Sequence, residues 1–189
     1  GEIGWFRLFE VMHATFARLA QKRPDVDFVI KPKWEGYWLD WINRVIRANG
    51  LDPDAIKNLT ITSEVNPHDL ILESDVVCGF ASTVLLEAGI AGKPVIVPDF
   101  EETLEPKYRD RVQLRQCYDL FDIADSAESF ASLIEQRLYD LTVPRETMGR
   151  RDEAFAHWIS KIDGDAIQQY TKTFDAAAAW GRQEHLNRG

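Results

Sequence analysis

The sequence predicts an α/β protein with a mainly parallel sheet of about five to six strands flanked by helices. Over residues 1–142, short apolar runs that suit buried strands alternate with longer stretches of helical periodicity. After Pro144 the chain shows helical patterns alone, so we expect extra C-terminal helices. Strands that alternate with helices are usually parallel and buried on both faces, because the crossover helices cover the sheet.

Apolar runs with the composition of strands recur along the chain, and turn-forming residues separate them from their neighbours. Most are rich in Val, Ile or Leu, and all are short enough to be strands rather than helices. We expect them to share one sheet, and they cover residues 26–30, 59–62, 75–79, 94–97 and 119–123.

Helical periodicity fills most of the remaining chain. The first pattern stops before Pro24, and the second ends at Asn49-Gly50. Asn66 is a candidate N-cap for a short helix that has Pro67 in its first turn. The other predicted helices cover residues 5–19, 36–48, 83–91, 126–139, 145–160 and 165–180.

This pattern divides the chain into one main domain and a helical extension. We predict a domain at 1–142, helices at 143–180 that pack on it or on a missing N-terminal domain, and a frayed tail at 181–189. The chain opens with a helix and without Met, whereas a doubly wound domain normally opens with a strand. We therefore expect a fragment of a longer protein; the alternative is a short domain that begins with a helix.

Composition narrows the classes of function. The net charge of −9 and the isoelectric point near 4.9 argue against a nucleic-acid partner, because phosphate backbones are held mainly by Lys and Arg. Cys78 and Cys117 have no metal-ligand spacing, and we interpret them as reduced, buried thiols of a cytoplasmic protein. No apolar run approaches the roughly 18 to 20 residues that span a bilayer. Peripheral attachment to the inner face of the cell membrane stays open.

The stretch from Ser74 to Pro98 is the part of the chain most typical of a ligand site. It combines a strand, a turn at Ala81-Ser82-Thr83, a short apolar helix that ends at Gly92, and a second buried strand. Hydroxyl groups and backbone N–H groups at a helix N-terminus favour an anion such as phosphate. The alternative is that a hydroxyl only caps the helix.

Charged and aromatic side chains near this stretch extend the predicted site. Glu87 follows Thr83 by one helical turn, so its carboxylate can accept hydrogen bonds from a ribose diol; otherwise it is a solvated charge. Lys31 and Lys33 follow a strand and suit a diphosphate, or they are merely exposed. Trp34 can stack on a base or sugar, although the tryptophans at 34, 38 and 41 more often belong to a core.

His68 is the one histidine near a predicted strand-end loop, and we consider it a candidate general base or phosphate ligand. The alternative is an ordinary residue at a helix start. No serine-hydrolase turn or zinc-protease motif occurs, and we predict no metal site. The histidines without metal-ligand spacing are His13, His157 and His185.

Several short motifs together resemble one family. From about residue 10 to about residue 125 the chain is similar to the C-terminal half of GT-B glycosyltransferases. Bacterial surface and capsular polysaccharide biosynthesis proteins resemble it most, with CDP-glycerol glycerophosphotransferases and sialyl- or Kdo-transferases further away. The matching segments are 31–33, 66–71, 74–77, 81–83, 87–88 and 92–96.

The resemblance implies a Rossmann-like domain that binds a UDP-, CMP- or CDP-linked sugar without metal or cofactor. In such families a His-Pro pair at the position of Lys31-Pro32 contacts the donor phosphate, and hydroxyl residues at the position of Ser82-Thr83 do the same. The carboxylate at the position of Glu87 holds ribose, and Asn66 belongs to the matching set. A glycan or glycolipid acceptor and the catalytic base are expected from a missing N-terminal domain.

Two other classes stay open. One is an enzyme similar to the nucleotide-sugar 2-epimerases, which would need acidic and histidine catalytic residues. The other is a non-catalytic domain that binds a partner through Trp38, Trp41 and the acidic loop at 99–106.

Overall fold

Strand β4, Val95–Pro98, is the centre of a parallel three-stranded sheet. It pairs with β3, Val77–Cys78, on one side and with β5, Asp122–Ala124, on the other. All of its residues are buried, as expected for an apolar strand that helices cover on both faces.

The computed structural model describes residues 4–33, 35–159, 164 and 171–172, without the side chain of Arg109. The tail predicted at 181–189 lies outside these residues, as does the helix predicted at 165–180 apart from 171–172.

Two further strands, β1 (Phe28–Ile30) and β2 (Leu59–Ile61), form a separate parallel pair. The prediction of parallel strands flanked by helices is confirmed, but the prediction of one sheet of five to six strands is wrong. The strands are two to four residues long, so each contributes few ladder hydrogen bonds. Ile30 of β1 and Ile96 of β4 belong to the same buried cluster, so side-chain packing joins the two sheets.

Two strand predictions need correction. The run at 119–123 is mostly not a strand, because Arg115–Leu120 forms a 3₁₀-helical segment and β5 starts only at Asp122. Burial on both faces holds for β4 but not for β2, whose Thr60 is exposed. An edge strand of this length leaves one face open to water.

The helices begin and end close to the predicted signals. The Asn66 side chain accepts a hydrogen bond from the His68 N–H at 2.9 Å, and Ser126 forms a capping box with Ser129. Gly92 has a φ of 77°, the left-handed conformation that ends many helices. The helices are α1 (Phe6–Lys22), α2 (Tyr37–Ala48), α3 (Pro67–Glu73), α4 (Val84–Ile90), α5 (Pro106–Arg109), α6 (Ala127–Tyr139) and α7 (Arg145–Trp158).

Side chains of β4 point alternately into two cores. Ile96 packs in the larger core with residues of α1, α2 and α6, among them Leu8, Ile42 and Phe130. Val95 and Val97 pack in the second core with residues of α3 and α4, among them Ile71 and Leu85. Helices therefore cover both faces of the central strand, which is the layered arrangement of doubly wound α/β folds.

Helix α7 packs on α4 through a buried arginine. Arg151 is 3% exposed, and its guanidinium donates to the Leu120 carbonyl at 2.9 and 3.0 Å and to the Lys93 carbonyl at 2.9 Å. It also lies 3.4 Å from the Gly89 carbonyl, and a methyl group on Gly89 would be 3.3 Å from the arginine Cδ. Burial lowers the pKa of Arg151 below its ordinary value. The buried charge is satisfied by carbonyl oxygens near the C-terminal end of α4 and at the last residue of the 3₁₀ segment.

The substitution Arg151→Met should lower the free energy of unfolding by about 2 to 4 kcal/mol, because it leaves buried carbonyl groups without donors. Arg151→Lys should retain only part of this stability, because one ammonium group cannot reach the Leu120 and Lys93 carbonyls at the same time. Urea denaturation measures the difference. The matched control is Arg150→Met, which removes an exposed ion pair with Asp119 and should cost less than about 1 kcal/mol. Equal losses for the two Met variants would contradict the assigned role.

The His13 side chain is buried against its own helix. It is 8% exposed, its Nδ1 donates to the Phe9 carbonyl at 2.7 Å, and the two rings lie 4.0 Å apart between centroids. Burial lowers the pKa of His13 to about 4, although the hydrogen bond to Phe9 partly opposes this shift. The folded protein therefore favours the neutral imidazole.

Because the folded-state pKa of His13 lies below its unfolded value near 6.5, unfolding takes up a proton between these two pH values. The contribution of His13 to stability should be complete above about pH 6.5 and fall by up to about 3 kcal/mol towards pH 4. The measurement is the difference in unfolding free energy between wild type and His13→Gln, followed from pH 7 to pH 4.5. A difference that does not change with pH would refute this expectation.

Candidate functional site

Two helices bring His68 and Glu87 into contact. His68 lies in the first turn of α3, and its Nδ1 is 3.2 Å from Oε2 of Glu87 in α4. The His68 side chain is 69% exposed, whereas the Glu87 side chain is 24% exposed. One edge of the imidazole therefore faces a partly buried carboxylate, and most of the ring is open to solvent. The sequence marked both residues as candidates but did not predict that they touch.

The cap at Asn66 positions His68. The Asn66 side chain accepts the backbone hydrogen bond of His68, and Pro67 occupies the first helical position, where a missing N–H costs nothing. Asn66 thus has a structural task at the start of α3. Its predicted part in substrate binding stays a prediction.

The turn before α4 has a restricted backbone. Ala81 has a φ of 47°, which is uncommon for a residue with a side chain. The Ser82 hydroxyl accepts a hydrogen bond from the Val84 N–H at 3.3 Å, whereas the exposed Thr83 side chain makes no cap hydrogen bond. The capping alternative therefore applies to Ser82 and not to Thr83. The helix has seven residues, so its dipole adds little and the hydroxyl groups are the main polar feature.

Glu87 lies one turn along the same helix, as predicted. Its backbone N–H donates to the Thr83 carbonyl at 3.2 Å, which sets the two side chains on neighbouring positions of one face. The hydroxyl groups of the turn, the Glu87 carboxylate and the His68 ring therefore form one group at the start of α3 and α4. This group, comprising Asn66, His68, Ser82, Thr83 and Glu87, is called the α3–α4 group below.

The predicted lysines follow the neighbouring sheet. Lys31 comes directly after β1, is partly buried, and its Nζ is 3.5 Å from the Pro32 carbonyl, while Lys33 is exposed. The Thr62 N–H donates to the Ile30 carbonyl at 3.0 Å, so the chain from β2 to α3 leaves from the same sheet edge as Lys31. The connection 62–66 spans at most about 18 Å. Among the described residues, Lys31 forms no ion pair with the α3–α4 group.

The predicted tryptophans have different positions. Trp34 lies outside the described residues. Trp38 and Trp41 stack on each other in α2 with ring centroids 5.4 Å apart, and Phe9 of α1 lies 4.9 Å from Trp41. Trp38 is 37% exposed, so its interpretation as a core residue is wrong. Its neighbour Tyr37 is 62% exposed, so the first turn of α2 is largely uncovered.

The acidic loop contains a helix cap that the sequence did not indicate. The Glu102 side chain is buried, and its carboxylate accepts hydrogen bonds from the Arg7 N–H at 2.7 Å and the Leu8 N–H at 2.8 Å. The residue before α1, Trp5, offers no cap of its own. A carboxylate from a distant segment therefore satisfies the first turn of α1 and interacts favourably with its dipole.

A second polar group lies beyond the end of β4. Asp99 forms an ion pair with Arg115 at 2.6 Å, and Arg115 also donates to the Thr103 carbonyl at 3.0 Å. Nε of Arg115 and the Tyr118 hydroxyl are buried and have no hydrogen-bond partner among the residues that the structure describes. Burial, with the negative charge of Asp99, raises the pKa of Tyr118 to about 12. The sequence offered one indication of this group, because Asp99 directly follows the central strand.

The environment of the two cysteines favours the protonated thiol over the thiolate. Burial raises the pKa of Cys78 to about 12 and raises that of Cys117 as well. Both cysteines are free; Cys117 is buried as predicted, whereas Cys78 is only partly buried. In the part of the chain that the structure describes, no group of three or more His, Cys, Asp or Glu residues is placed to hold a metal ion. None of the described helices combines the length and the apolarity needed to cross a bilayer.

Comparisons with models of known protein families, with curated proteins and with solved structures found no match for this chain. The geometry of the α3–α4 group therefore carries the functional argument.

The substitution Glu102→Ala should destabilise the protein by about 2 to 3 kcal/mol, because it removes a charged acceptor from two N–H groups at a helix start. Denaturant unfolding measures this loss, and hydrogen exchange at the amides of residues 7 and 8 should accelerate. Glu105→Ala is the matched control in the same loop, since its exposed ion pair with Lys107 contributes less than about 1 kcal/mol. Similar losses for both variants would rule out a special role for Glu102.

Proposed function

We propose that this chain is the donor-binding half of a metal-independent GT-B glycosyltransferase. It would bind a UDP-, CMP- or CDP-linked sugar for transfer to a surface polysaccharide or glycolipid acceptor. The contact of His68 with Glu87 beside the Ser82-Thr83 turn carries the proposal, because residues from separate sequence motifs converge there. A domain of this function would act in the cytoplasm, at or near the inner face of the membrane, with a second domain that binds the acceptor.

The α3–α4 group offers the chemistry that a nucleotide sugar requires. The Ser82 and Thr83 hydroxyl groups can donate to phosphate oxygens, and Glu87 can accept hydrogen bonds from a ribose diol. Lys31 and Lys33, at the edge from which the chain runs to α3, would offset the charge of the diphosphate. Charge that develops on the leaving phosphate is thereby stabilised without a metal ion.

The position of the group in the fold also supports the proposal. In open α/β sheets, ligands bind in the crevice outside the carboxyl ends of the strands. The turn with Ser82 follows β3, and Asp99 follows β4, so polar side chains line this end of the three-stranded sheet. The resemblance of residues 10 to 125 to GT-B enzymes rests on short motifs that include these same residues.

A 2-epimerase-like enzyme is the second candidate. Such an enzyme needs acidic and histidine residues close together, and the pair of His68 and Glu87 meets that need. Incubation with UDP-linked sugars separates the candidates, because an epimerase changes the sugar without any acceptor.

The exposed aromatic face around Trp38 favours instead a non-catalytic binding domain, which would bind no nucleotide.

The double substitution Ser82→Ala and Thr83→Ala should weaken nucleotide binding by about 10- to 100-fold, because one or two hydrogen bonds to a charged phosphate are lost. Titration calorimetry with UDP, CMP and CDP measures the affinity. Loss of the single local bond of Ser82 should change the unfolding free energy by no more than about 1 kcal/mol.

The control for this prediction is Ser132→Ala on the exposed side of α6, which should leave nucleotide affinity unchanged. Unchanged affinity in the double variant, or no nucleotide binding by the wild-type chain, would overturn the proposed function.

A further inference from the structure

His68 differs from the other described histidines in its partner. His13 is buried and donates to a backbone carbonyl, and the ring of His157 lies against Trp158. Of these three, only His68 contacts a carboxylate, that of Glu87. It is also the one that belongs to the α3–α4 group. The contact joins two helices and so orients the ring relative to the Ser82-Thr83 turn.

The contact favours one tautomer of the His68 ring. A carboxylate accepts hydrogen bonds only, so a hydrogen bond across the 3.2 Å between Nδ1 and Glu87 requires the proton of the neutral ring on Nδ1. The neutral ring then has its lone pair on Nε2, at the opposite edge. A histidine that a carboxylate holds in this tautomer is prepared to take a proton from a hydroxyl group.

We propose that His68 is the general base of the transfer reaction and that Glu87 is its positioning residue. The assignment rests on the proposed glycosyltransferase function, and it places the base in this chain rather than in a second domain. The Nε2 of His68 would take the proton of the acceptor hydroxyl, whose oxygen forms a bond to the anomeric carbon. The bond from that carbon to the phosphate oxygen breaks, and its electron pair leaves with the nucleotide phosphate.

The two proposed tasks of Glu87 are compatible. Its Oε2 contacts His68, and a carboxylate has a second oxygen that can accept hydrogen bonds from the ribose diol. The partly buried carboxylate has less contact with water than the ring, which strengthens its hold on Nδ1.

The first test separates binding from chemistry. His68→Asn places an amide N–H near the position of Nδ1, so it keeps a donor for Glu87 but removes Nε2. Release of nucleotide from UDP-, CMP- and CDP-linked sugars is measured with water or added glycan as acceptor. We expect kcat to fall by about 10²- to 10⁴-fold in His68→Asn, while KM and nucleotide affinity stay within about 3-fold. His157→Asn, which changes an exposed histidine of α7, should behave like wild type.

The second test reports on Glu87 without turnover. Nitrogen-15 NMR of the imidazole should show the proton of neutral His68 on Nδ1 in the wild-type chain and largely on Nε2 in Glu87→Gln. Glu73→Gln, an exposed change in α3, should leave the tautomer unaltered. A wild-type ring with its proton on Nε2 would overturn the positioning role.

The outcomes distinguish the two proposals. If the wild-type chain binds a nucleotide but His68→Asn releases it from the donor as fast as wild type, His68 is not the base and donor binding still stands. If no UDP-, CMP- or CDP-linked ligand binds, the proposed function fails and the assignment of the base fails with it.

Discussion

A buried guanidinium holds the helix on which the candidate site is built. Arg151 of α7 donates to the carbonyls of Gly89 and Lys93 at the end of α4, and to that of Leu120. A helix of seven residues has few internal hydrogen bonds and depends on tertiary contacts for its stability. Because Glu87 lies on the same short helix, contacts at the C-terminal end of α4 determine where its carboxylate can lie.

The central strand β4 connects the packing around α4 with the rest of the molecule. Successive side chains of β4 enter different cores, so Ile96 packs with α1, α2 and α6, whereas Val95 and Val97 pack with α3 and α4. The second core contains Ile71 of α3 and Leu85 of α4, which fixes the two helices against each other. The contact between their polar side chains, and the base proposed from it, is a consequence of this apolar packing.

The acidic residues of the loop after β4 have different structural roles. Glu102 caps α1 from a segment more than ninety residues away, and Asp99 is paired with Arg115 directly beyond β4. An acidic loop therefore has different tasks at neighbouring positions, and its composition alone does not separate them. The free N–H groups in the first turn of α1 require an acceptor, and any carboxylate that packing places there can provide it.

The sequence by itself determined the features that depend on neighbours along the chain: the α/β class, the parallel strands, the cap at Asn66, the end of α4 at Gly92 and the spacing of Thr83 and Glu87. Helical and strand periods and turn residues act over a few positions, so the sequence displays them directly. Only the tertiary structure decided the division into two sheets, the cap by Glu102, the buried Arg151 and the contact of His68 with Glu87. These contacts join residues that are far apart along the chain, and they form only when several elements pack together.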